Sequence, residues 1–261
     1  MTATAMAPST DRDALVAAAE RRAVRVAQRR VLNPMLLIGG IYWLIYAVVV
    51  VGIVVGNELA GNVLTRSIID MQWGGSSRWM VFVLGLIIPA ALLRPHVAAG
   101  GTRRSLATGT LRAALLTGLV FGAATAVYLA GERALFGAFG MTWNELDSGL
   151  PLDGIGGFAV RGLAETLVTA AYALSGAAIA MGYYRYGIGR GTAFIPVALV
   201  PVVLADLASR TGGLAAIVGD RYPFDGGVAV VVGIAGALVA LGIAAWLLPA
   251  VQRGIPLRPP V

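Results

Sequence analysis

The chain has 261 residues, of which 58% are hydrophobic and only 13% are charged. This balance excludes an ordinary soluble domain and predicts an integral membrane protein. All 20 basic residues are arginine, there is one histidine, and cysteine is absent. The chain therefore has no lysine for a nucleotide-binding phosphate loop or a Schiff base, and no multi-histidine or thiolate metal site. If the protein does energetic work, the energy therefore comes either from ATP hydrolysis on another chain or from an ion gradient.

The strongly basic character, with a pI of about 10.4, does not by itself indicate nucleic-acid binding. Membrane proteins collect arginine in their cytoplasmic segments, because basic residues are retained on that side of the bilayer. We therefore expect no nucleic-acid partner, and we expect a multi-pass protein of the cell (plasma) membrane.

The first segment predicts a disordered tail over residues 1–10 and an amphipathic helix over 11–34. Four arginines of this helix lie within about 100° of one another at 100° per residue, which is typical of a helix in the membrane interface. The alternative is a basic flank that only orients the first span. Asn33 and Pro34 are predicted to break the helix and turn the chain into the membrane.

Apolar runs predict six transmembrane helices and hence an all-α fold, because a bilayer core of about 30 Å is crossed by roughly 20 apolar residues. The predicted transmembrane domain covers 35–248, and a cytoplasmic tail covers 249–261. The predicted spans are 35–56, 79–93, 113–130, 158–181, 193–208 and 227–248.

The distribution of arginine predicts that both termini are cytoplasmic. With the N-terminus inside, the cytoplasmic segments contain six arginines in 1–34, four in 94–112, two in 182–192 and two in 249–261. The outer segments and their flanks contain the remaining six, whereas most acidic residues lie on the outer side. This asymmetry follows the positive-inside rule.

Two pairs of ionisable residues lie within or beside the predicted spans. Arg161 and Glu165 are four residues apart in the fourth span, and Asp206 and Arg210 repeat that spacing at the end of the fifth. Residues four apart share one face of a helix, so each pair can form an ion pair. Charges at membrane depth often mark functional positions, so these residues are candidates for an outer gate or for proton binding. The alternative is paired charges at the outer interface without a further role.

A basic segment, 94–112, separates the second and third predicted spans. A short helix is predicted from about Pro95 to Leu106. It carries the candidate partner-docking residues, which are Pro95, His96, Val97, Gly100, Gly101, Thr102, Arg103 and Arg104. The alternative is a basic loop that only fixes the topology.

This arrangement resembles the permease subunits of type-2 ABC exporters, in particular small actinobacterial-like forms with a Gly-x-Thr-Arg-Arg element after the second span, here Gly100 to Arg104. The resemblance implies an amphipathic helix before six spans, cytoplasmic termini, and a coupling helix between spans two and three that docks on an ATPase. It implies a separate cytoplasmic ABC ATPase as partner, with ATP and Mg bound there and no cofactor in this chain. It also implies a second permease copy or a paralogue, surrounded by membrane lipid. The short second span and the outer loops depart from the pattern, and they leave the substrate open.

Two other functions fit the same sequence. An ion-gradient-driven carrier would use Glu165 or Asp206, and a scaffold or sensor would bind a partner without transport. An intramembrane serine protease is excluded, because the sequence around Ser175 lacks the first glycine of the protease motif and span six has no histidine. We therefore expect that the chain itself is not an enzyme.

Glycine spacing makes two further predictions. The run from Tyr186 to Gly191, YGIGRG, predicts a tight turn between two spans. The pairs Gly52 with Gly56 and Gly118 with Gly122 are small-xxx-small motifs, which allow close approach of a neighbouring helix.

Overall fold

The computed structural model describes residues 9–69, 75–144, 150, 154–210 and 226–255. Within these ranges the regular structure is helical and contains no β-strand. The all-α prediction is therefore confirmed. The predicted disordered tail lies outside the described residues except for Ser9 and Thr10, which belong to the first helix.

Five long helices make up the described fold: α1 (Ser9–Leu59), α2 (Ser76–Ala98), α3 (Arg103–Ala138), α4 (Gly154–Ser209) and α5 (Gly226–Gln252). Each is long and apolar enough to cross a membrane, by length and composition. Each helix begins before or ends after the span predicted within it, because polar and small residues at the ends still form helical turns.

The first helix runs without interruption through Pro34, so the predicted break at Asn33 and Pro34 is wrong. Proline removes one backbone donor, but neighbouring helices can hold a proline-containing helix together in a membrane protein. Val31 and Met35, on either side of Pro34, are both fully buried and pack against Ala113 of α3. At 1.5 Å per residue α1 is about 77 Å long, far more than one bilayer crossing needs.

The fourth helix contains one non-helical residue, Gly187, with φ 75° and ψ −176°. This conformation is accessible essentially to glycine alone. The two arms, 154–186 and 188–209, fold back on each other. The Tyr183 hydroxyl lies 3.0 Å from that of Thr192, and Gly182 packs against the ring of Phe194. The chain therefore reverses near Gly187, where the sequence predicted a turn.

Close contacts through glycine fix α3 and α2 on the first arm of α4. A methyl group added to Gly118 or Gly122 of α3 would overlap the α4 backbone around Thr166. Gly85 of α2 is pressed in the same way against Ala173. By contrast, no atom of the described residues lies within 4 Å of a methyl group added to Gly52 or Gly56 of α1. Between the described helices, only the α3 motif of the two predicted glycine motifs is therefore used for close packing.

The bundle has two ends with different chemistry. One end, here called the basic end, contains the connection between α2 and α3, the break at Gly187 and the end of α5. Arg185 joins the region of the Gly187 break to the end of α5, because its guanidinium donates a hydrogen bond of 2.7 Å to the carbonyl oxygen of Ala250. The start of α2, the end of α3 and the end of the second α4 arm lie at the opposite end.

Candidate functional site

A buried cluster of charges lies where α2 begins. Arg78 is 0% exposed, and its guanidinium donates hydrogen bonds to two carboxylates, those of Glu165 and Asp206. The distance is 2.8 Å from Nε to Oε1 of Glu165 and 2.9 Å from Nη1 to Oδ1 of Asp206. The third guanidinium nitrogen, Nη2, donates to Oε2 of Glu165, so the contact between Arg78 and Glu165 is bidentate. Arginine favours this planar geometry over lysine.

Three helical segments provide this cluster. Arg78 is in the first turn of α2, Glu165 is in the first arm of α4, and Asp206 is in the second arm. Two hydroxyl groups complete it: Tyr172 donates to Asp206 at 2.7 Å, and Thr169 donates to Glu165 at 3.3 Å. We name these five residues the Arg78 cluster. Because both carboxylates are at most 3% exposed, the cluster locks α2 onto both arms of α4.

The expected pairs, Arg161 with Glu165 and Asp206 with Arg210, are not among the ion pairs between described residues. Both acids are paired with Arg78 instead. Arg161 is buried, and Arg210 ends the second arm with a left-handed φ of 52°. The i to i+4 spacing was a poor guide here because it considers only one helix, whereas a cation on a neighbouring helix can approach both acids.

The connection between α2 and α3 is a tight turn of four residues, 99–102, and the predicted short helix from Pro95 to Leu106 is wrong. Pro95, His96 and Val97 belong to the last turn of α2, and Arg103 begins α3. The segment is too rich in turn-forming residues to hold a helix of its own between the two spans.

Hydrogen bonds close this turn from both sides. Gly101 donates from its backbone nitrogen to the carbonyl oxygen of His96 at 2.9 Å, and Gly100 donates to that of Val97 at 3.0 Å. With φ 84° at Gly100 this is a Schellman motif, which ends a helix. Thr102 then caps α3 in a capping box with Ser105. The Gly-Gly-Thr sequence is therefore explained by the ending of one helix and the beginning of the next.

Side chains reinforce the turn and connect it to α1. The His96 ring nitrogen Nε2 is 2.8 Å from the Ser105 hydroxyl, and both residues are buried. Gly101 packs directly on that ring, so a side chain there would displace it. The Thr102 hydroxyl donates to the Glu20 carboxylate of α1 at 3.1 Å. Arg103 is half-buried and Arg104 is exposed.

A second buried acid, Glu132 of α3, lies at the opposite end of the bundle. Its carboxylate accepts hydrogen bonds from the Ser67 hydroxyl at 2.5 Å, from the backbone nitrogens of Ile68 and Ile69 at 2.7 and 3.2 Å, and from the Trp143 indole at 2.9 Å. Four donors on one carboxylate satisfy its hydrogen-bonding capacity. Glu132 therefore holds the segment after α1 against the end of α3.

Sequence reasoning missed Arg78, Tyr172 and Glu132. Arg78 was treated as a flank of the second span, although the helix already begins at Ser76. A usable signal existed, because Glu165 and Asp206 lie in apolar helices and buried acids need a cation or hydrogen-bond donors. Arg78 directly precedes the apolar run of α2, which made it a candidate. Glu132 had no such signal, since its partners are a hydroxyl, an indole and two backbone nitrogens that lie outside the five long helices.

The fold and these sites together define a class: a multi-pass helical membrane protein, with a buried ion cluster near one end and a surface rich in arginine at the other. Comparison with protein-family models, with characterised proteins and with solved structures gives no match to this chain. The chemistry of the sites therefore has to carry the functional argument.

Proposed function

We propose that the chain is the membrane-spanning permease subunit of an ATP-driven exporter, and that a separate cytoplasmic ATPase binds it at 94–112. Three properties of the chain support this. Its helices are apolar and long enough to cross a membrane. It lacks the lysine of a nucleotide-binding phosphate loop. Its basic end carries exposed arginine beside a rigid turn.

The proposed topology has six crossings of the plasma membrane. The two arms of α4 cross once each, because they fold back on each other at Gly187 and 56 residues are about 84 Å of helix. The positive-inside rule then puts the basic end and both termini in the cytoplasm. A second copy of the chain, or a paralogue, supplies the other half of the transport pathway.

The observation that carries the proposal is the doubly closed turn at 99–102. Three features make the connection between α2 and α3 rigid: the Schellman motif, the capping box and the contact between His96 and Ser105. A force applied to this turn by a partner is therefore passed into the tilt of both helices. Transitions of this kind move packed helices as rigid bodies.

The first part of α1 enlarges the contact surface, which matters because a four-residue turn is smaller than the predicted coupling helix. A cavity of about 430 Å³ lies between α1 and the turn, lined in part by Asp13, Glu20, Thr102 and Arg104. It offers charges of both signs to a partner. Contact with the ATPase would then reach α1 and the α2–α3 connection at the same time.

A co-purification experiment tests this proposal. The tagged chain is extracted from its native membranes in mild detergent, and bound P-loop ATPases are identified by mass spectrometry. Changing Arg103 and Arg104 to Glu should abolish capture, since the contact loses two positive charges and gains two negative ones. The control Arg190→Glu changes an exposed arginine at the start of the second α4 arm, and it should leave capture intact. Unchanged capture by the Arg103 and Arg104 variant would contradict the proposed docking role.

A gradient-driven carrier is the second candidate, and the Arg78 cluster is the observation that favours it. Two carboxylates are buried beside one arginine, and exchange of a proton at either would change the charge that holds α2 to α4. This function predicts pH-driven transport in liposomes that contain no ATPase. The changes Glu165→Gln and Asp206→Asn should abolish it, while Glu58→Gln, at an exposed position of α1, should not. If transport instead requires ATP and a partner, the carrier is refuted; if neither assay shows transport, a scaffold or sensor remains.

A further inference from the structure

A groove at the basic end, between the beginning of α3 and the end of α5, has a cavity volume of about 380 Å³. Arg103 and Arg104 line it from α3, and Gln252 and Arg253 line it from α5. Leu111 and Ala245 form part of an apolar wall deeper along the same two helices. The groove thus combines a cationic mouth with an apolar floor.

The three guanidinium groups of the groove are available for a ligand. Among the hydrogen bonds and ion pairs of the described residues, none involves the side chain of Arg103, Arg104 or Arg253. Among the described residues that line this groove there is no carboxylate. The N-terminus of α3 contributes a partial positive charge here and the C-terminus of α5 a partial negative charge, so the two helix dipoles largely cancel. The arginines therefore set the sign of the potential, and the groove attracts anions.

Gln252 provides a second, independent observation. Its side chain is 1% exposed, and neither its amide nitrogen nor its amide oxygen has a hydrogen-bond partner among the described residues. Buried polar groups are nearly always paired, since an unpaired group loses its hydration without compensation. An unpaired amide in the wall of a cationic groove is explained if a ligand oxygen accepts from its nitrogen when the groove is occupied.

We propose that this groove binds the phosphate group of an anionic membrane phospholipid. Arginine guanidiniums match phosphate oxygens in two-point contacts, and Gln252 contributes a neutral donor. The apolar wall of Leu111 and Ala245 takes the first part of the lipid's acyl chain. Basic pockets between transmembrane helices are a known setting for such headgroups. The site shares Arg103 and Arg104 with the proposed ATPase contact, so its test uses Arg253 and Gln252, which line the groove but are not part of that contact.

Native mass spectrometry of the full chain, without any partner, tests this site. The chain is titrated with phosphatidylglycerol and, separately, with phosphatidylcholine, whose headgroup is zwitterionic. We expect tighter binding of the anionic lipid. The change Arg253→Gln should weaken it roughly tenfold, as loss of a charged hydrogen bond does. The control Arg190→Gln removes the same charge at an exposed position at this end but outside the groove, and should leave the affinity unchanged.

Further measurements separate the alternatives. Gln252→Leu should also weaken lipid binding while it raises the unfolding midpoint, since it removes an unpaired buried amide. Arg253→Gln should unfold like the parent chain, which shows that its weaker binding is not a folding defect. Equal affinity of the Arg253 variant and the parent chain would overturn the proposal, as would equal binding of the two lipids. Displacement of the lipid by an equal concentration of inorganic phosphate would assign the groove to soluble phosphates and would also overturn it.

Discussion

Removal of the cation from the Arg78 cluster is the sharpest test of the fold. In the variant Arg78→Met, two carboxylates that are at most 3% exposed lose their only ion-pair partner among the described residues. Breaking a buried pair by removing one member costs about 3–5 kcal/mol, because an uncompensated charge stays buried. We expect a loss of that size in the free energy of unfolding, measured by SDS titration in mixed micelles with circular dichroism. Here both Glu165 and Asp206 are left behind, so the loss should be at the upper end of the range.

A triple variant should restore part of the free energy of unfolding that Arg78→Met loses. Adding Glu165→Gln and Asp206→Asn to Arg78→Met makes the cluster neutral, so at least half of the lost free energy should return. The control Arg66→Met, at an exposed arginine, should stay within about 0.5 kcal/mol of the parent chain. A loss below about 1 kcal/mol for Arg78→Met would refute the claim that this cluster locks α2 onto α4. Failure of the triple variant to recover would show that lost packing volume, rather than buried charge, causes the effect.

Three further predictions concern packing, a loop and the turn. Gly122→Ala should cost about 1–3 kcal/mol in the same titration, because its methyl group overlaps α4. Glu132→Ala should speed hydrogen exchange of the amides of Ile68 and Ile69, which lose their carboxylate acceptor. Gly100→Ala should cost about 1–2 kcal/mol, since an L-residue is strained at φ 84°.

Each of these predictions has a control or a refuting result. Gly131→Ala, in the same helix with open space around it, should be neutral or stabilising, which isolates the overlap at Gly122. Glu58→Ala, at an exposed acid of α1, should leave the exchange of the 67–69 segment unchanged. If Gly100→Ala is neutral, the turn does not depend on its left-handed residue, and the rigidity assigned to it is wrong.

The apolar helices could be predicted from the sequence because hydropathy acts locally. Twenty consecutive apolar residues indicate a helix whatever they pack against. The reversal at Gly187 was predicted for a similar reason, since glycine clusters mark turns. Pro34 was misjudged because its effect depends on the neighbour: Val31 and Met35 pack on α3 and carry the helix through.

The candidate sites were harder to predict, because they are built between helices. Glu165 and Asp206 were recognised as unusual, but their shared partner, Arg78, is 87 residues away from one and 128 from the other. No spacing rule covers such a distance. The prediction for the segment 99–102 was wrong for a local reason. Its Gly-Gly-Thr sequence contains a helix end followed by a helix start, whereas the segment from Pro95 to Leu106 was interpreted as one short helix.

Because α1 is one unbroken helix, a tilt of its apolar half also moves its N-terminal half. Residues 9–34 form about 39 Å of helix beyond the apolar half, with no joint at Pro34 to absorb a rotation. If the helix tilts by about 10° about Pro34, the N-terminal tip moves by roughly 7 Å. Glu20 lies along that arm and holds Thr102 of the turn. In the proposed topology, a small reorientation of the apolar half in the bilayer is therefore carried to the place where α2 meets α3.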